Sequence, residues 1–162
     1  MLSRLLPAHL DNDFRGYQAA IWIFALITAF KLALGLVHVF SADGGAQTMS
    51  HIPLDSYAAG AAQNVVGIFA RLGLEQLLLG ALFVIVLLRY RAMIPLMYLL
   101  LAIEQFGRRG ILTISAIERA VEIDGITDAL LINWGLMAAL AIGFALSLAT
   151  PVKSKSQGSG PS

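Results

Sequence analysis

Ionisable side chains interrupt the long apolar runs of this sequence. Arg71 and Glu75 lie in one run, and Glu104 and Arg108 lie in the next; Lys31 interrupts an earlier run. Residues four apart share one face of a helix, so each arginine can meet the glutamate of its own run. Side chains of this kind can pair with one another, bind an anionic group or transfer a proton as general acid and base. Which of these applies depends on the elements that carry them.

The composition is typical of an integral membrane protein. The chain of 162 residues is 58% hydrophobic and only 13% charged, and its mean hydropathy is +0.78, whereas roughly 25% of the residues of a soluble domain are charged. A net charge of +1 without a long basic run excludes nucleic acid as a partner. The lack of cysteine excludes thiol–disulfide chemistry, iron–sulfur clusters and thiolate metal sites.

The hydropathy pattern predicts one all-α domain over residues 1–150, a four-helix up-down transmembrane bundle, followed by a flexible tail over 151–162. Its spans cover about 18–40, 65–88, 92–114 and 129–149, each long enough to cross about 30 Å of hydrocarbon. The second and third spans are joined so tightly that we expect them to be antiparallel neighbours. Residues 41–64 form a loop with a short helix at 55–62, which Asp55 caps, and 115–128 form a polar connection.

Basic residues near the span ends predict the orientation. By the positive-inside rule, both termini and the turn between the second and third spans are cytoplasmic. The residues that decide this orientation are Arg4, Arg15, Arg89, Arg91, Lys153 and Lys155. The expected location is the inner (cytoplasmic) membrane, and a bacterial one is what the family resemblance given below implies.

The charged residues of the spans lie at matching depths. A rise of 1.5 Å per residue places Glu75 about 20 Å and Glu104 about 18 Å from the cytoplasmic ends of their helices, and Lys31 at the same level. An unpaired charge there costs at least about 2.5–3.5 kcal/mol. We therefore expect the polar residues of this layer to converge on a ligand-binding pocket lined by Lys31, Arg71, Glu75, Gln76, Glu104, Gln105, Arg108, Asn133 and Trp134.

A purely structural interpretation remains open. The pairs Arg71–Glu75 and Glu104–Arg108 could be intrahelical ion pairs that, with a cross-link from Lys31, lock the bundle without binding anything. Small residues on the second and fourth spans predict close helix packing. The outer histidines His38 and His51, with Asp43 and Asp55, could bind a metal, but nothing in the sequence fixes their spacing, so loop histidines without a metal are the preferred interpretation. No metal site is predicted, and no cofactor is assigned.

The order of glycines and charges resembles small four-helix bacterial membrane proteins of the DoxX-like and uncharacterised kind. The resemblance covers the first three spans and implies the same four-helix fold. It implies no settled activity and transfers no catalytic residue. The residues that carry it are Gly35, Asn64, Gly73 and Gly80, then Arg89-Tyr90-Arg91, and finally Gly107-Arg108.

The leading functional hypothesis is binding of an amphipathic or anionic small molecule, such as a lipid, a quinone or an isoprenoid-like compound. Its head would meet Lys31, Arg71 and Arg108, and its tail would lie between helices. One alternative is an accessory or assembly subunit of a larger membrane complex, or a homo-oligomer. Another is a membrane enzyme that uses Glu75 or Glu104 as general acid and base; the sequence leaves open whether the protein is an enzyme.

Overall fold

The structure is a computed structural model that describes residues 5–7, 9–115 and 128–150. Four α-helices make up most of this part, namely α1 (Gln18–Phe40), α2 (Ala59–Arg89), α3 (Ile94–Ile114) and α4 (Asp128–Leu148), and it contains no β-strand. The predicted all-α class is confirmed for these residues. The predicted connection over 116–127 and the predicted tail over 151–162 lie outside them.

Three of the helices are long and apolar enough to cross a membrane: α1, α2 and the Leu131–Leu148 part of α4. The prediction of a membrane protein is confirmed to this extent. The helix α3 has 21 residues, but Glu104, Arg108 and Arg109 fall within it, so it lacks a stretch of comparable hydropathy.

The start of α2 differs from its prediction. The helix begins at Ala59 rather than near Val65, because alanine is the residue that most favours helix. The expected short helix at 55–62 is therefore wrong. Asp55 lies instead in a 3-10 helix at Leu54–Ser56, where it accepts a hydrogen bond of 2.6 Å from the Gln47 side chain. Among the described residues, no side chain forms a capping hydrogen bond at the N-terminus of α2, which follows Ala58.

The helices α1 and α2 pack most extensively, and α4 packs against both α1 and α3. A close crossing brings α1 and α2 together, since a Cβ atom on Gly73 would lie 2.9 Å from the Gly35 carbonyl oxygen. The helices α2 and α3 contact each other little. The tight turn joins their ends, but they diverge beyond it, so the helices expected to be antiparallel neighbours do not pack closely along their length.

One half of the bundle has a dry aromatic core. Phe24 on α1 packs against Phe83 and Tyr98, with ring centroids 5.3 Å away in both cases. The buried Tyr98 hydroxyl donates a hydrogen bond of 2.7 Å to the Ala20 carbonyl, which satisfies it in an apolar environment. Its ring fits against Gly143 of α4, where any larger residue would overlap it. This core joins all four helices.

Two backbone hydrogen bonds define the end of the bundle next to this core. The Tyr17 N–H donates to the Leu146 carbonyl at 3.0 Å, and the Ala92 N–H donates to the Asp11 carbonyl at 3.3 Å. The start of α1, the turn between α2 and α3 and the end of α4 therefore lie at the same end of the bundle.

The loop over residues 41–58 folds onto the first turns of α2 at the opposite end. Ala46, Ile52 and Leu54 are buried against apolar residues of α2 such as Phe69. Gly44 and Gly45 have φ values of 61° and 77°, a region that glycine adopts without steric cost. The loop is thus an ordered cap on α1 and α2.

Asp43 holds this loop together. Its carboxylate accepts hydrogen bonds from the backbone N–H groups of Gly45, Gln47 and Thr48 at 2.8–3.1 Å. The Thr48 N–H is the largest cause of a pKa far below the ordinary value of an aspartate, and desolvation opposes it. Since the pKa is lowered, the carboxylate stabilises the loop fully above the ordinary pKa and ceases to do so only as the pH falls through the lowered pKa.

Replacing Asp43 with alanine is expected to open the loop without unfolding the helices, because three N–H groups lose their acceptor. Hydrogen–deuterium exchange should accelerate at least tenfold at Gly45 and Thr48, and the wild-type loop should remain protected at pH 4. Asp55→Ala is the control, since within the described part of the chain Asp55 accepts a hydrogen bond from the Gln47 side chain but none from a backbone N–H. Equal acceleration in both variants would contradict the role of Asp43.

Candidate functional site

Three charged side chains meet between α1 and α3. The Lys31 Nζ atom lies 2.7 Å from both carboxylate oxygens of Glu104, and the Arg108 Nη2 atom lies 2.7 Å from Glu104 Oε1. We call Lys31, Glu104 and Arg108 the charged cluster. The charged cluster contains the intrahelical Glu104–Arg108 pair and the cross-link from Lys31. Both contacts were predicted under the purely structural interpretation of the sequence.

Burial increases from Arg108 toward Lys31 in the charged cluster. The exposed fraction of the side chain is 38% for Arg108, 24% for Glu104 and 11% for Lys31. Two cations share one carboxylate, so the cluster carries a net charge of +1. In a medium of low dielectric constant, an uncompensated positive charge strongly favours an anion nearby. Because Arg108 is the most exposed member of the charged cluster, an anion that approaches the cluster contacts Arg108 first.

A small chamber adjoins the charged cluster. It has a volume of about 50 Å³, and α1, α2, α3 and α4 all contribute to its walls. This is room for about one or two water molecules or one small polar group. Its lining residues are Ile27, Phe30, Lys31, Leu34, Gln76, Leu101, Glu104, Gln105, Arg108, Leu136 and Leu140.

Gln76 gives the chamber an unsatisfied amide. Its residue surface is 2% exposed, and neither its Nε2 nor its Oε1 atom has a hydrogen-bond partner among the described residues. Leaving such a buried polar group unpaired costs about 1–3 kcal/mol. Gln76 therefore has two unused N–H donors on Nε2 and an unused acceptor on Oε1 beside the chamber.

Two polar contacts connect α3 to α4 beside the chamber. The Gln105 amide donates a hydrogen bond of 2.6 Å to the Asn133 side-chain oxygen. The Arg109 guanidinium lies 4.9 Å from the ring centroid of Trp134, within the range of a cation–π interaction. Gln105 lines the chamber, whereas Asn133, Trp134 and Arg109 lie outside its lining. These contacts position α3 against α4.

The structure places Arg71 and Glu75 away from the charged cluster. Both are exposed on the outer face of α2, and neither forms an ion pair or a side-chain hydrogen bond within the described part of the chain. The expected Arg71–Glu75 pair is thus not formed. Each charge would cost about 2.5–3.5 kcal/mol if it faced hydrocarbon.

A cleft opens where α2 and α3 diverge. It has a volume of about 310 Å³ and shares Arg108 with the chamber. Within it, His38 is held by the loop, since its Nδ1 atom lies 2.7 Å from the Gly44 carbonyl oxygen. Arg108 can therefore be approached from this side. The cleft is lined by His38, Ser50, Phe69, Leu72, Arg108, Ile111 and Leu112.

An apolar groove runs between α1 and α4 on the other side of the chamber. Its volume is about 300 Å³, and it shares Ile27, Phe30 and Leu136 with the chamber. Sequence reasoning missed these residues, because an apolar side chain in an apolar span has no distinguishing signal. The groove is lined by Leu26, Ile27, Phe30, Ile132, Gly135, Leu136 and Ala139.

Sequence reasoning also missed the contact of Arg109 with Trp134. The spacing of four residues from Glu104 singled out Arg108 for the ion pair. The sequence has no comparable signal for Arg109, and only the packing of α3 against α4 brings its guanidinium to the Trp134 ring. No group of three or more histidine, aspartate or glutamate side chains able to hold a metal ion occurs in the described ranges.

No protein-family model, curated protein or solved structure matches the chain. The resemblance to DoxX-like proteins therefore stays a prediction. The functional argument is based on the geometry of the charged cluster, the chamber, the cleft and the groove.

Proposed function

We propose that the protein binds an anionic amphipathic small molecule within a four-helix transmembrane bundle. The head group, a carboxylate or a phosphate, contacts Lys31 and Arg108, and the apolar tail lies in the groove between α1 and α4. Membrane lipids and their hydrophobic relatives, including quinone and isoprenoid-like compounds with an acidic head, are the class of ligand concerned.

The excess positive charge of the charged cluster supports this proposal most strongly. Glu104 compensates only one of the two cations that it contacts. An anionic head group would compensate the other, at a partly buried position where charge-assisted hydrogen bonds are stronger than neutral ones. Glu104 holds both cations in place, so it acts as a positioning residue for the head group.

The shape of the site supports a ligand with a polar end and an apolar end. The groove meets the chamber at Ile27, Phe30 and Leu136, so a chain in the groove would direct its head toward Lys31. The unsatisfied Gln76 amide would then hydrogen-bond a head-group atom. Ligand pockets commonly combine an apolar lining with a few polar groups that orient the ligand.

The transmembrane arrangement belongs to the same proposal. We propose that α3 crosses the membrane as the third span, because pairing and hydrogen bonding make its ionisable residues tolerable there. The helix ends that meet next to the aromatic core would face the cytoplasm with the basic residues of the turn and the termini. The bacterial inner membrane is the proposed location.

Arg108→Ala is expected to weaken binding of an anionic ligand at least tenfold. The reason is the loss of a charge-assisted hydrogen bond, which contributes about 1.5–3 kcal/mol. Oleate and monoolein are suitable probes, because they share an acyl chain and differ in head-group charge. Native mass spectrometry of the detergent-solubilised protein should show that the wild type prefers oleate and that Arg108→Ala loses this preference.

Arg109→Ala is the matched control, since Arg109 stacks on Trp134 and does not line the chamber; it should keep the preference for oleate. Ala139→Phe fills the groove and should weaken both probes, whereas Ala138→Phe, outside the groove, should not. Equal binding of oleate by wild type, Arg108→Ala and Ala139→Phe would rule out the proposed site.

A further inference from the structure

The outer face of α2 carries an exposed stripe with coiled-coil spacing. Alternating steps of three and four residues along one helix give a seam that faces a second helix. The six residues of this α2 seam all have exposed side chains and occupy alternate a and d positions of such a repeat. They are Ile68, Arg71, Glu75, Leu78, Leu82 and Ile85.

The charges of the α2 seam lie at the depth of the charged cluster. Glu75 precedes Gln76, which lines the chamber together with Lys31 and Glu104, but its own side chain is on the exposed side of the helix. Glu75 is also 14 residues, or about 21 Å, from the Arg89 end of α2. In a membrane of ordinary thickness, this position faces hydrocarbon rather than water.

The described part of a single chain does not satisfy these charges. Neither Arg71 nor Glu75 has an ionic or side-chain hydrogen-bond partner in the described ranges. The other exposed helix faces are different in kind, because large apolar side chains such as Leu26 on α1 and Phe106 on α3 are exposed there. Contact with lipid is sufficient for these apolar side chains, whereas Arg71 and Glu75 of the α2 seam require polar partners.

We propose that the α2 seam binds the same seam of a second copy of this chain. Two copies inserted in the same orientation are related by a two-fold axis along the membrane normal, so the two α2 helices are parallel. In such an interface residue i meets residue j, and j meets i. Arg71 of one copy then pairs with Glu75 of the other, and the reciprocal pair forms as well.

The geometry of a parallel helix pair permits both contacts. Arg71 and Glu75 differ in height by about 6 Å, and helix axes in contact are about 8–10 Å apart. A long arginine side chain spans this offset. Leu78, Leu82 and Ile85 continue the seam toward the turn and pack against the same residues of the second copy. This inference is independent of the ligand proposal, because no residue of the α2 seam lines the chamber or the groove.

Charge reversal tests the reciprocal pairs. Arg71→Glu makes the seam acidic and Glu75→Arg makes it basic, so each variant alone should dimerise at least tenfold more weakly than the wild type. An equimolar mixture of the two variants should form a heterodimer, since each acidic position again faces a basic one. Light scattering in mild detergent measures the mass of each sample, with circular dichroism to show that the helices remain.

The mixture of the two variants distinguishes the proposed dimer from an Arg71–Glu75 pair within one helix. Each variant has lost the intrahelical pair, and adding a second chain could not restore it. A wild type that is monomeric in detergent and in lipid bilayers would overturn the proposal. A dimer that neither reversal weakens, or a different membrane protein bound to the α2 seam in place of a second copy, would also overturn it.

Disulfide cross-linking gives a test that leaves the charges intact. The chain has no cysteine, so a single introduced thiol reports one position. Leu82→Cys, on the α2 seam, should cross-link in membranes on mild oxidation. Ile103→Cys, equally on an exposed helix face but on α3, should not. Cross-linking of Ile103→Cys alone would place the contact on another helix and exclude this interface.

Discussion

Replacing Glu104 with glutamine is expected to destabilise the bundle by about 3 kcal/mol, the cost of leaving a buried charge without its partner. Glu104 is the shared acceptor of Lys31 and Arg108, and glutamine keeps its size while removing its charge. Lys31, the most buried of the three, would then have no counter-ion in the described part of the chain. Thermal unfolding in detergent, followed by circular dichroism, measures the loss.

Glu75→Gln is the matched control for this experiment. It removes the same charge from an exposed and unpaired position at the same depth, so the monomer should lose no stability. In the double variant Lys31→Met with Glu104→Leu, which removes the buried pair as a whole, much of the stability should return. If Glu104→Gln unfolds at the wild-type temperature, the charged cluster does not stabilise the bundle.

Gly73→Ala is expected to destabilise the protein by about 1–3 kcal/mol, the usual cost of overpacking a close contact. The added methyl group would lie 2.7 Å from His38 Cβ and 2.9 Å from the Gly35 carbonyl oxygen. The second of these is backbone and cannot rotate away, so α1 and α2 must separate. Denaturant or thermal unfolding measures the change in free energy.

Gly67→Ala, on the same helix, is not expected to lower the free energy of unfolding as Gly73→Ala does. Outside the neighbouring backbone of its own helix, a Cβ atom at Gly67 meets no heavy atom of the described residues within 4 Å, and alanine stabilises a helix by up to about 1 kcal/mol relative to glycine. Gly67→Ala should therefore be neutral or slightly stabilising. Similar losses of stability in Gly67→Ala and Gly73→Ala would show that helix propensity, rather than the crossing of α1 and α2, explains the effect.

The bundle has two halves that differ in packing. Phe24, Phe83 and Tyr98 pack as an aromatic core near the turn between α2 and α3, where these helices are held together. Beyond it, α2 and α3 diverge and the charged cluster lies next to the chamber. This division is compatible with the proposed ligand binding, because the packed half holds the helices together and the other half leaves space beside the charged side chains.

Composition and spacing alone determined the all-α class of the described residues and predicted the depth of the charges. Long apolar runs predict membrane spans, because the backbone of a helix satisfies its own hydrogen bonds in lipid, and three of the described helices are long and apolar enough to cross a membrane. The rise per residue then predicted that Lys31, Glu75 and Glu104 lie in a single layer. The pairing of Glu104 with Arg108 followed from their spacing of four residues.

Only the tertiary structure decided which members of this layer meet. Arg71 and Glu75 have the same spacing as Glu104 and Arg108, yet the former pair is exposed and the latter contacts Lys31. In a soluble protein the apolar stripe of a helix reveals its buried face. In a membrane, lipid and protein interior are both apolar, so the pattern does not determine the rotation of a span.

That rotation depends on contacts between residues far apart in the sequence. The crossing of Gly35 with Gly73 turns one face of α2 toward α1. It thereby buries Gln76 and leaves Glu75 on the outside. Adjacent residues on a helix point about 100° apart, so a single such contact decides whether a polar side chain lines the chamber or lies on the exposed face of α2. The sequence shows that Glu75 and Gln76 are adjacent polar residues, but only the packed bundle determines which of them is buried.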